Sequence, residues 1–253
     1  MCKDCGCSMG GSHHHSHDDH HNHHHHGHHD HPVLNEKKTI EVVEKILKDN
    51  DHEAAHNRAH LDEYGLLCIN LMSSPGAGKT TLLEATIKAS GLKIGVVEGD
   101  LETNMDANRV VNAGGVAYQI STGQTCHLDA FMVHNGLHHL PLNELDLVFI
   151  ENVGNLVCPA SYDVGAHLNA VLISVPEGSD KVAKYPVMFR AADVVIITKI
   201  GLLEHFDFDV EVVKKEARKL NPKVDIIEVD SKTGEGFEAW IEFIAEQKAL
   251  LKK

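Results

Sequence analysis

Long apolar runs and basic side chains are both scarce in this sequence, and each scarcity argues against a class of function. No apolar run reaches the roughly 18–20 residues of a membrane-spanning helix, and the N-terminus lacks the hydrophobic segment of a signal peptide. Lys and Arg number 23 against 37 Asp and Glu, a formal net charge of −14. Nucleic acids are bound by basic surfaces. We therefore expect no membrane and no nucleic-acid partner, and a cytoplasmic location.

Large apolar side chains are also almost missing from the first 31 residues, which hold potential metal ligands instead. Cys2, Cys5 and Cys7 precede thirteen histidines between His13 and His31. A segment that buries little apolar surface cannot offset the entropy lost on ordering. Residues 1–32 are therefore predicted to be a disordered, Cys/His-rich metal-binding tail. Its many imidazoles suit storage or buffering of metal.

Beyond this tail, strand-like and helix-like segments alternate. Largely apolar runs such as 145–150 and 194–197 are typical of strands buried on both faces of a parallel sheet. The alternation predicts an α/β fold, a three-layer domain with a mostly parallel sheet over residues 66–253. Residues 33–65 are predicted to form N-terminal helices, over 36–48 and 51–64, that pack on this domain. Strands are predicted over 66–72, 93–97, 116–120, 146–150, 168–175, 193–198 and 224–229, and further helices over 80–90, 103–113, 127–138, 180–191, 207–220 and 236–250.

The octapeptide Ser-Ser-Pro-Gly-Ala-Gly-Lys-Thr, residues 73–80, lies between a predicted strand and a predicted helix. This is the context of a phosphate-binding P-loop, although the first glycine of the usual pattern is Ser73 here. Glycines let backbone amides approach phosphate oxygens, and the helix adds its positive dipole end. Lys79 is predicted to reach the β- and γ-phosphates, and Thr80 to ligate Mg²⁺. The predicted phosphate-binding residues are Gly76, Ala77, Gly78, Lys79, Thr80 and Thr81.

Two carboxylates that follow predicted strands suit the same site. Asp100 ends Glu-Gly-Asp, residues 98–100, and is predicted to hold Mg²⁺ or its waters. Glu151 begins Glu-Asn-Val-Gly, which resembles the Asp-x-x-Gly switch segment of GTPases, and its side chain could orient the attacking water. Either carboxylate could instead cap a helix or a loop. Lys79, Asp100 and Glu151 are the predicted catalytic residues.

A guanine-binding site is present in outline. GTPases commonly use Asn/Thr-Lys-x-Asp after a buried strand, and this chain has Thr198-Lys199-Ile200-Gly201, without the carboxylate. Downstream, Asp-Ser-Lys-Thr-Gly, residues 230–234, resembles the loop that contacts guanine O6. Thr198, Lys199, Ser231 and Lys232 are therefore predicted nucleotide contacts for GTP or GDP. The missing carboxylate predicts a defect in guanine selection, because a charge-assisted hydrogen bond contributes about 1.5–3 kcal/mol.

Thiols and imidazoles form two candidate metal sites. Cys2, Cys5 and Cys7, with the α-amine, offer a nitrogen–sulfur set that suits Ni²⁺ and also Zn²⁺ or Cu⁺. Cys126, His127 and Cys158 follow predicted strands, and a two-fold dimer could complete their set, although each cysteine alone is as easily a core residue.

Three further histidines, His52, His56 and His60, fall on one stripe of a predicted helix. Such a stripe is more typical of a polar helix face than of a metal site.

Together these motifs resemble the HypB family, the GTPases that help to insert nickel into [NiFe]-hydrogenase. The resemblance rests on Cys-x-x-Cys-Gly-Cys at the N-terminus, the P-loop with its Ser73, Glu-Gly-Asp at 98–100, Cys126-His127 and Glu-Asn-Val-Gly-Asn-Leu-Val-Cys-Pro at 151–159. It implies a SIMIBI-class P-loop GTPase with slow intrinsic hydrolysis, which forms a homodimer when GTP is bound. The family has Asp at the position of Gly201.

The same resemblance implies roles for the metal ligands and the partners. Cys126, His127 and Cys158 would hold Ni²⁺ or Zn²⁺ at the dimer interface, and Cys2, Cys5 and Cys7 would hold nickel tightly. The expected partners are the small nickel chaperone HypA and the hydrogenase large subunit. Two alternatives stay open: a urease-type nickel GTPase, and a non-enzymatic nickel store with an impaired nucleotide site.

Overall fold

The computed structural model describes residues 36–100, 105–123 and 125–251. The predictions for Cys2, Cys5, Cys7 and the histidine tract lie outside these ranges. Residues from Leu47 onward form one compact unit, and the contacts given below all lie within it. Within the described ranges, no helix has both the length and the apolar character needed to cross a membrane.

Seven parallel strands form a single sheet, which confirms the predicted α/β class. The strand order is β3-β2-β4-β1-β5-β6-β7. The strands are β1 (Leu67–Ser73), β2 (Ile94–Asp100), β3 (Val116–Ser121), β4 (Leu147–Glu151), β5 (Leu168–Ser174), β6 (Val194–Thr198) and β7 (Asp225–Val229). The helices are α1 (Glu36–Glu63), α2 (Lys79–Ser90), α3 (Met105–Asn112), α4 (Ala130–His138), α5 (Lys181–Lys184), α6 (Pro186–Arg190), α7 (Val210–Leu220) and α8 (Phe237–Leu251).

The core lies on both faces of this sheet, so the fold has three layers. On one face, α2 and α8 pack on β1 through residues such as Leu83 and Trp240. On the other face, α4 and α1 pack over β2 and β4 through Val133 and Leu61, with α6 and α7 alongside. Every residue of β1 and β4 is buried, as the apolar runs predict. The strand order reverses beside β1, and an open parallel sheet binds ligands at the carboxyl ends beside such a point.

The N-terminal helices differ from the prediction, because residues 36–63 form one helix rather than two. Asp49, Asn50 and Asp51, which lie at the predicted break, have poor helix propensity. Asn50 is buried instead, and its side chain donates to the carbonyl of Asp163 and accepts from the amide of Ala130. Tertiary hydrogen bonds thus offset the weak local preference. Gly65, with φ of 63°, follows the end of the helix as expected.

Some of the other helices also begin or break at residues that differ from the prediction. The helix predicted over 127–138 begins at Ala130, because Asp129 caps it by accepting from the amide of Met132 at 2.8 Å. The helix predicted over 180–191 is divided into α5 and α6 at Tyr185. Pro186 explains the division, since proline disfavours helical geometry in the residue before it.

Candidate functional site

The P-loop wraps from β1 into α2 with the backbone shape that phosphate binding requires. Gly76 and Gly78 have φ of 77° and 101°, which glycine adopts without strain. Gly78 is also the N-cap of α2, so the loop leads into the positive end of the helix. The Lys79 ammonium donates to the Ser73 hydroxyl at 3.2 Å. The serine in place of the usual glycine is therefore a partner of the lysine.

The predicted nucleotide residues line two adjoining cavities at the carboxyl ends of the strands. A cavity of about 510 Å³ is lined by the P-loop together with Asp100 and Glu151. A second cavity of about 260 Å³ is lined by Ala77, Thr198 and Ser231, among others. Thr81, Lys199 and Lys232 line both cavities. The structure thus brings together every described residue that the sequence predicts for the nucleotide.

The larger cavity contains a pair of buried carboxylates. Glu98 and Glu151 are register partners on β2 and β4, and the Thr80 hydroxyl donates to Glu151 at 2.7 Å. Burial raises the pKa of Glu98 to about 8, helped by the charge of Glu151. Burial also raises the pKa of Glu151 to about 7, against the lowering effect of Lys79.

The donor set of this cavity fits a magnesium ion. Among the described residues, one carboxylate oxygen each of Glu98 and Glu151 is buried without a hydrogen-bond partner. Thr80 and Asp100 line the same cavity, so hydroxyl and carboxylate oxygens converge there. Hard oxygen ligands of this kind are what Mg²⁺ prefers, together with phosphate oxygens.

Sequence reasoning missed three charged residues of this cavity: Glu98, Asp106 and Arg109. Arg109, on α3, donates to the Thr81 hydroxyl at 3.1 Å and forms ion pairs with Glu84 and Asp106. A signal for Glu98 was present, since it is a charge within a buried strand. No local signal marks Arg109, because its position depends on how α3 packs against α2.

The smaller cavity has the outline of a base-binding pocket. Lys199 adopts a left-handed conformation with φ of 61°, which lets its ammonium donate to the Gly76 carbonyl at 2.7 Å. The Thr198 hydroxyl donates to the Ala77 carbonyl at 2.7 Å. The end of β6 is thereby fixed to the P-loop. Gly201 contributes no side chain, and the carboxylate nearest to it belongs to Asp230.

Cys126, His127 and Cys158 meet at the same edge of the sheet, and we call them the thiol–imidazole cluster. One ligand atom from each lies within 4.8 Å of the others, and the two Sγ atoms are 2.7 Å apart. His127 is 8% exposed and stacks on Tyr162 with ring centroids 4.0 Å apart. Burial lowers the pKa of His127, which favours the neutral imidazole that ligates metals.

Asn152 connects this cluster to the nucleotide cavity. It follows Glu151 directly and is 1% exposed. Its Oδ1 accepts from the amide of Leu128 at 3.0 Å, and Leu128 is the residue after His127. In addition, the side chain of Asn155 donates to the carbonyl of Cys126 at 3.4 Å. The residues from Glu151 to Asn155 therefore contact Thr80 of the P-loop at one end and the thiol–imidazole cluster at the other.

Comparisons with known proteins agree with this architecture. Residues 67–228 match the family model described as CobW/HypB/UreG, nucleotide-binding domain. The Hydrogenase/urease maturation factor HypB of Helicobacter hepaticus is 46% identical over 224 residues, which cover 87% of this chain and 92% of that protein.

Two solved structures are also similar. The structure of HypB from Helicobacter pylori in complex with nickel superposes with a TM-score of 0.77 at 47% identity, over 79% of this chain and 95% of that one. Hydrogenase maturation factor HypB from Archaeoglobus fulgidus gives a TM-score of 0.75 at 44% identity, over 80% and 100% of the two chains. The chain is therefore a member of the CobW/HypB/UreG nucleotide-binding family and, within it, of the HypB hydrogenase maturation factors.

Proposed function

We propose that this chain is a GTP-hydrolysing nickel metallochaperone, which stores nickel and delivers it to the large subunit of [NiFe]-hydrogenase during maturation. One observation carries the proposal: the segment 151–158 joins a residue bonded to the P-loop, Glu151, to a thiol of the thiol–imidazole cluster, Cys158. The nickel in the similar Helicobacter pylori structure supports nickel as the cargo.

In this proposal the larger cavity holds the phosphates of GTP. Lys79 binds the β- and γ-phosphates, and Thr80 and Asp100 bind Mg²⁺, which neutralises charge on the phosphate oxygens. Glu151 orients the attacking water from its place beside Thr80. The proposed intrinsic turnover is slow, as the resemblance to the HypB GTPases implies.

The thiol–imidazole cluster holds the nickel cargo, and Zn²⁺ suits the same ligands. Three ligands per chain leave the coordination set incomplete, so a second copy of the chain supplies the rest in a homodimer that GTP stabilises. Cys2, Cys5 and Cys7 form a separate, tight nickel site. The small chaperone HypA and the hydrogenase large subunit are the proposed partners, and the proposed location is the cytoplasm.

The nickel affinity of the thiol–imidazole cluster in the two nucleotide states tests this proposal. The full chain with Cys2, Cys5 and Cys7 changed to serine would be titrated with Ni²⁺ against a coloured chelator, with GDP or a non-hydrolysable GTP analogue bound. We expect at least a tenfold difference between the two states, and a shift from monomer to dimer with the analogue. Equal affinities would contradict the coupling.

Two control variants make the result interpretable. Lys79→Ala should remove the nucleotide effect but leave the nickel affinity of the GDP state, because Lys79 lies in the P-loop. Cys126→Ser should remove the nucleotide-dependent part of nickel binding but leave GTP hydrolysis within about twofold. Loss of both properties in either variant would indicate unfolding, which circular dichroism would detect.

Nickel storage without GTP hydrolysis is the alternative that removal of residues 1–32 tests. A nickel store would lose its nickel-dependent function when this segment is removed, whereas a GTP-driven inserter would keep part of that function.

Urease is a second candidate recipient, because the Helicobacter hepaticus relative is named a hydrogenase/urease maturation factor. Restoration of hydrogenase or urease activity in a strain that lacks its own factor would distinguish the two recipients.

A further inference from the structure

Four histidines from two helices lie close together, and none of them belongs to the thiol–imidazole cluster. His56 and His60 lie one turn apart on α1, and His134 and His138 lie one turn apart on α4. The ring centroids of His56 and His134 are 5.1 Å apart, and those of His60 and His138 are 5.3 Å apart. The two pairs therefore face each other across the α1–α4 contact, and we call them the four-histidine cluster.

The two histidines of α4 have ligand atoms at a spacing that suits one metal ion. The Nε2 atoms of His134 and His138 are 3.0 Å apart. Two nitrogens bound to one ion at about 2.05 Å are separated by about 2.9 Å at a right angle and about 3.3 Å at the tetrahedral angle. Two histidines four residues apart on a helix face are also a common metal-binding arrangement.

Glu53 and Asn57 orient His134 so that its Nε2 faces His138. The Nδ1 of His134 lies 3.1 Å from the Glu53 carboxylate and 3.0 Å from Oδ1 of Asn57. A hydrogen on Nδ1 leaves the lone pair on Nε2, the arrangement by which a carboxylate commonly fixes a metal-binding histidine. Asn57 is fully buried and is held by the carbonyl of Ala130 at 2.8 Å. The orientation of His134 therefore depends on the packing of α1 against α4.

A third ligand is within reach from α1. One ligand atom each of Glu53, His56 and His134 lies within 4.8 Å of the others. His60 stands next to His138, and its ring also neighbours Tyr64 at 5.5 Å between centroids. His56 and His60 are therefore the candidate ligands that α1 offers to an ion held by the pair on α4.

We propose that the four-histidine cluster is a further transition-metal site, which takes Ni²⁺ or Zn²⁺ on imidazole nitrogens, with Glu53 orienting His134. Imidazole suits both ions. The site uses no thiol and no nucleotide contact, so it is independent of the function proposed above. Its first α4 ligand lies one helical turn into α4, which starts three residues after His127, so residues of both candidate metal sites lie within one short stretch of the chain.

Thermal unfolding with and without metal tests the site in the full chain. Cys126→Ser and Cys158→Ser remove the thiol–imidazole cluster in every sample. The ligands before residue 36 are the same in every sample, so their effect on Tm cancels when variants are compared, whereas a site built by α1 and α4 exists only in the native state and raises Tm when metal binds. We expect saturating Zn²⁺ or Ni²⁺ alone to raise Tm by about 4 °C.

Matched double variants test whether the metal-induced rise in Tm comes from the four-histidine cluster. His134→Gln with His138→Gln should reduce it below about 1 °C, while glutamine keeps a hydrogen-bonding group for Glu53 and Asn57. His52→Gln with His139→Gln also removes two histidines, one on α1 and one directly after α4. It should leave the rise unchanged, because His52 is exposed and His139 stacks on Tyr118 instead. Equal metal-induced rises in the two double variants would overturn the proposal.

A residue-level readout covers the case in which the His134/His138 variant fails to fold. Carbethoxylation of histidines by diethyl pyrocarbonate, read by peptide mass spectrometry, would be compared with and without Zn²⁺ in the chain that retains all its histidines. Protection of His134 and His138 by at least fivefold, with His52 unprotected, supports the site. Equal labelling of all three with and without Zn²⁺ contradicts it.

Discussion

The amide nitrogen of Gly201 lies 3.2 Å from Oδ2 of Asp230, and a Cβ atom at position 201 would lie 3.0 Å from the same oxygen. The other oxygen of Asp230 accepts from the amides of Lys232 and Thr233. Although partial burial opposes them, these backbone donors lower the pKa of Asp230. A carboxylate thus lines the smaller cavity beside Gly201.

Gly201→Asp should raise the preference for GTP over ATP by about 10- to 100-fold, because the new carboxylate can accept from guanine through charge-assisted hydrogen bonds. It should also cost some stability, since its Cβ displaces Asp230 by a few tenths of an ångström. Competition of GTP, GDP, ATP and XTP against a fluorescent nucleotide, each with Mg²⁺, would measure the preference.

Gly201→Asn is the control for that change, because it has the same size without the charge and should not restore the preference. If the unmodified chain already prefers GTP strongly, the prediction fails and Asp230 becomes the candidate guanine reader. In that case Asp230→Asn should abolish the preference.

Asn152→Ala should uncouple the thiol–imidazole cluster from the nucleotide. The change removes the acceptor of the buried amide of Leu128 and the donor to Asn70 at 3.3 Å, at a cost of about 1–3 kcal/mol in stability. We expect the ratio of nickel affinities between the GTP-analogue and GDP states to fall toward one. The chelator titration described above would measure it, with the exposed Asn135→Ala as control. An unchanged ratio in folded Asn152→Ala would show that coupling follows another route.

Glu98→Gln should flatten the pH dependence of stability in the nucleotide-free protein. Since the pKa of Glu98 is raised to about 8, the native state binds this proton more tightly than the unfolded chain does. Its stabilising contribution is full below the ordinary pKa near 4.5 and is lost as the pH rises through about 8. The fall in Tm between pH 5 and pH 9 should therefore be smaller in Glu98→Gln than in the parent. An identical fall in Tm in the parent and in Glu98→Gln would refute this assignment. An equally reduced fall in Glu211→Gln, where the side chain is exposed, would also refute it.

Thr86→Val should destabilise the contact between α2 and α8. The indole nitrogen of Trp240 donates to the Thr86 hydroxyl at 2.9 Å, and that hydroxyl donates to the Leu82 carbonyl at 2.7 Å. Valine keeps the shape but leaves the buried indole without an acceptor, which costs about 1–3 kcal/mol. Trp240 is the only tryptophan in the sequence, so urea unfolding followed by its fluorescence measures the loss directly. Thr86→Ser keeps the hydroxyl, so it should lower the free energy of unfolding less than Thr86→Val does. A larger loss in Thr86→Ser would show that packing matters more than the hydrogen bond.

Several of these features could be predicted because their signals are local in the chain. The P-loop is a run of eight residues between a strand and a helix, and that local order alone predicted the start of α2 to within one residue of Lys79. Errors came where distant contacts overrule local propensity. Asn50 favours a helix break by itself, yet its bonds to Asp163 and Ala130 keep α1 continuous.

The sequence by itself determined the alternation of strands and helices, the P-loop and the residue types available for metal binding, because each depends on neighbours along the chain. Only the tertiary structure decided which of these residues meet. Cys158 reaches Cys126, Glu98 pairs with Glu151, and His134 joins His56 because strand register and helix packing bring together segments that are far apart in sequence. In the sequence of α1 alone, the histidine stripe has the character of a polar surface. His134 and His138 become neighbours of that stripe only because α4 packs against α1.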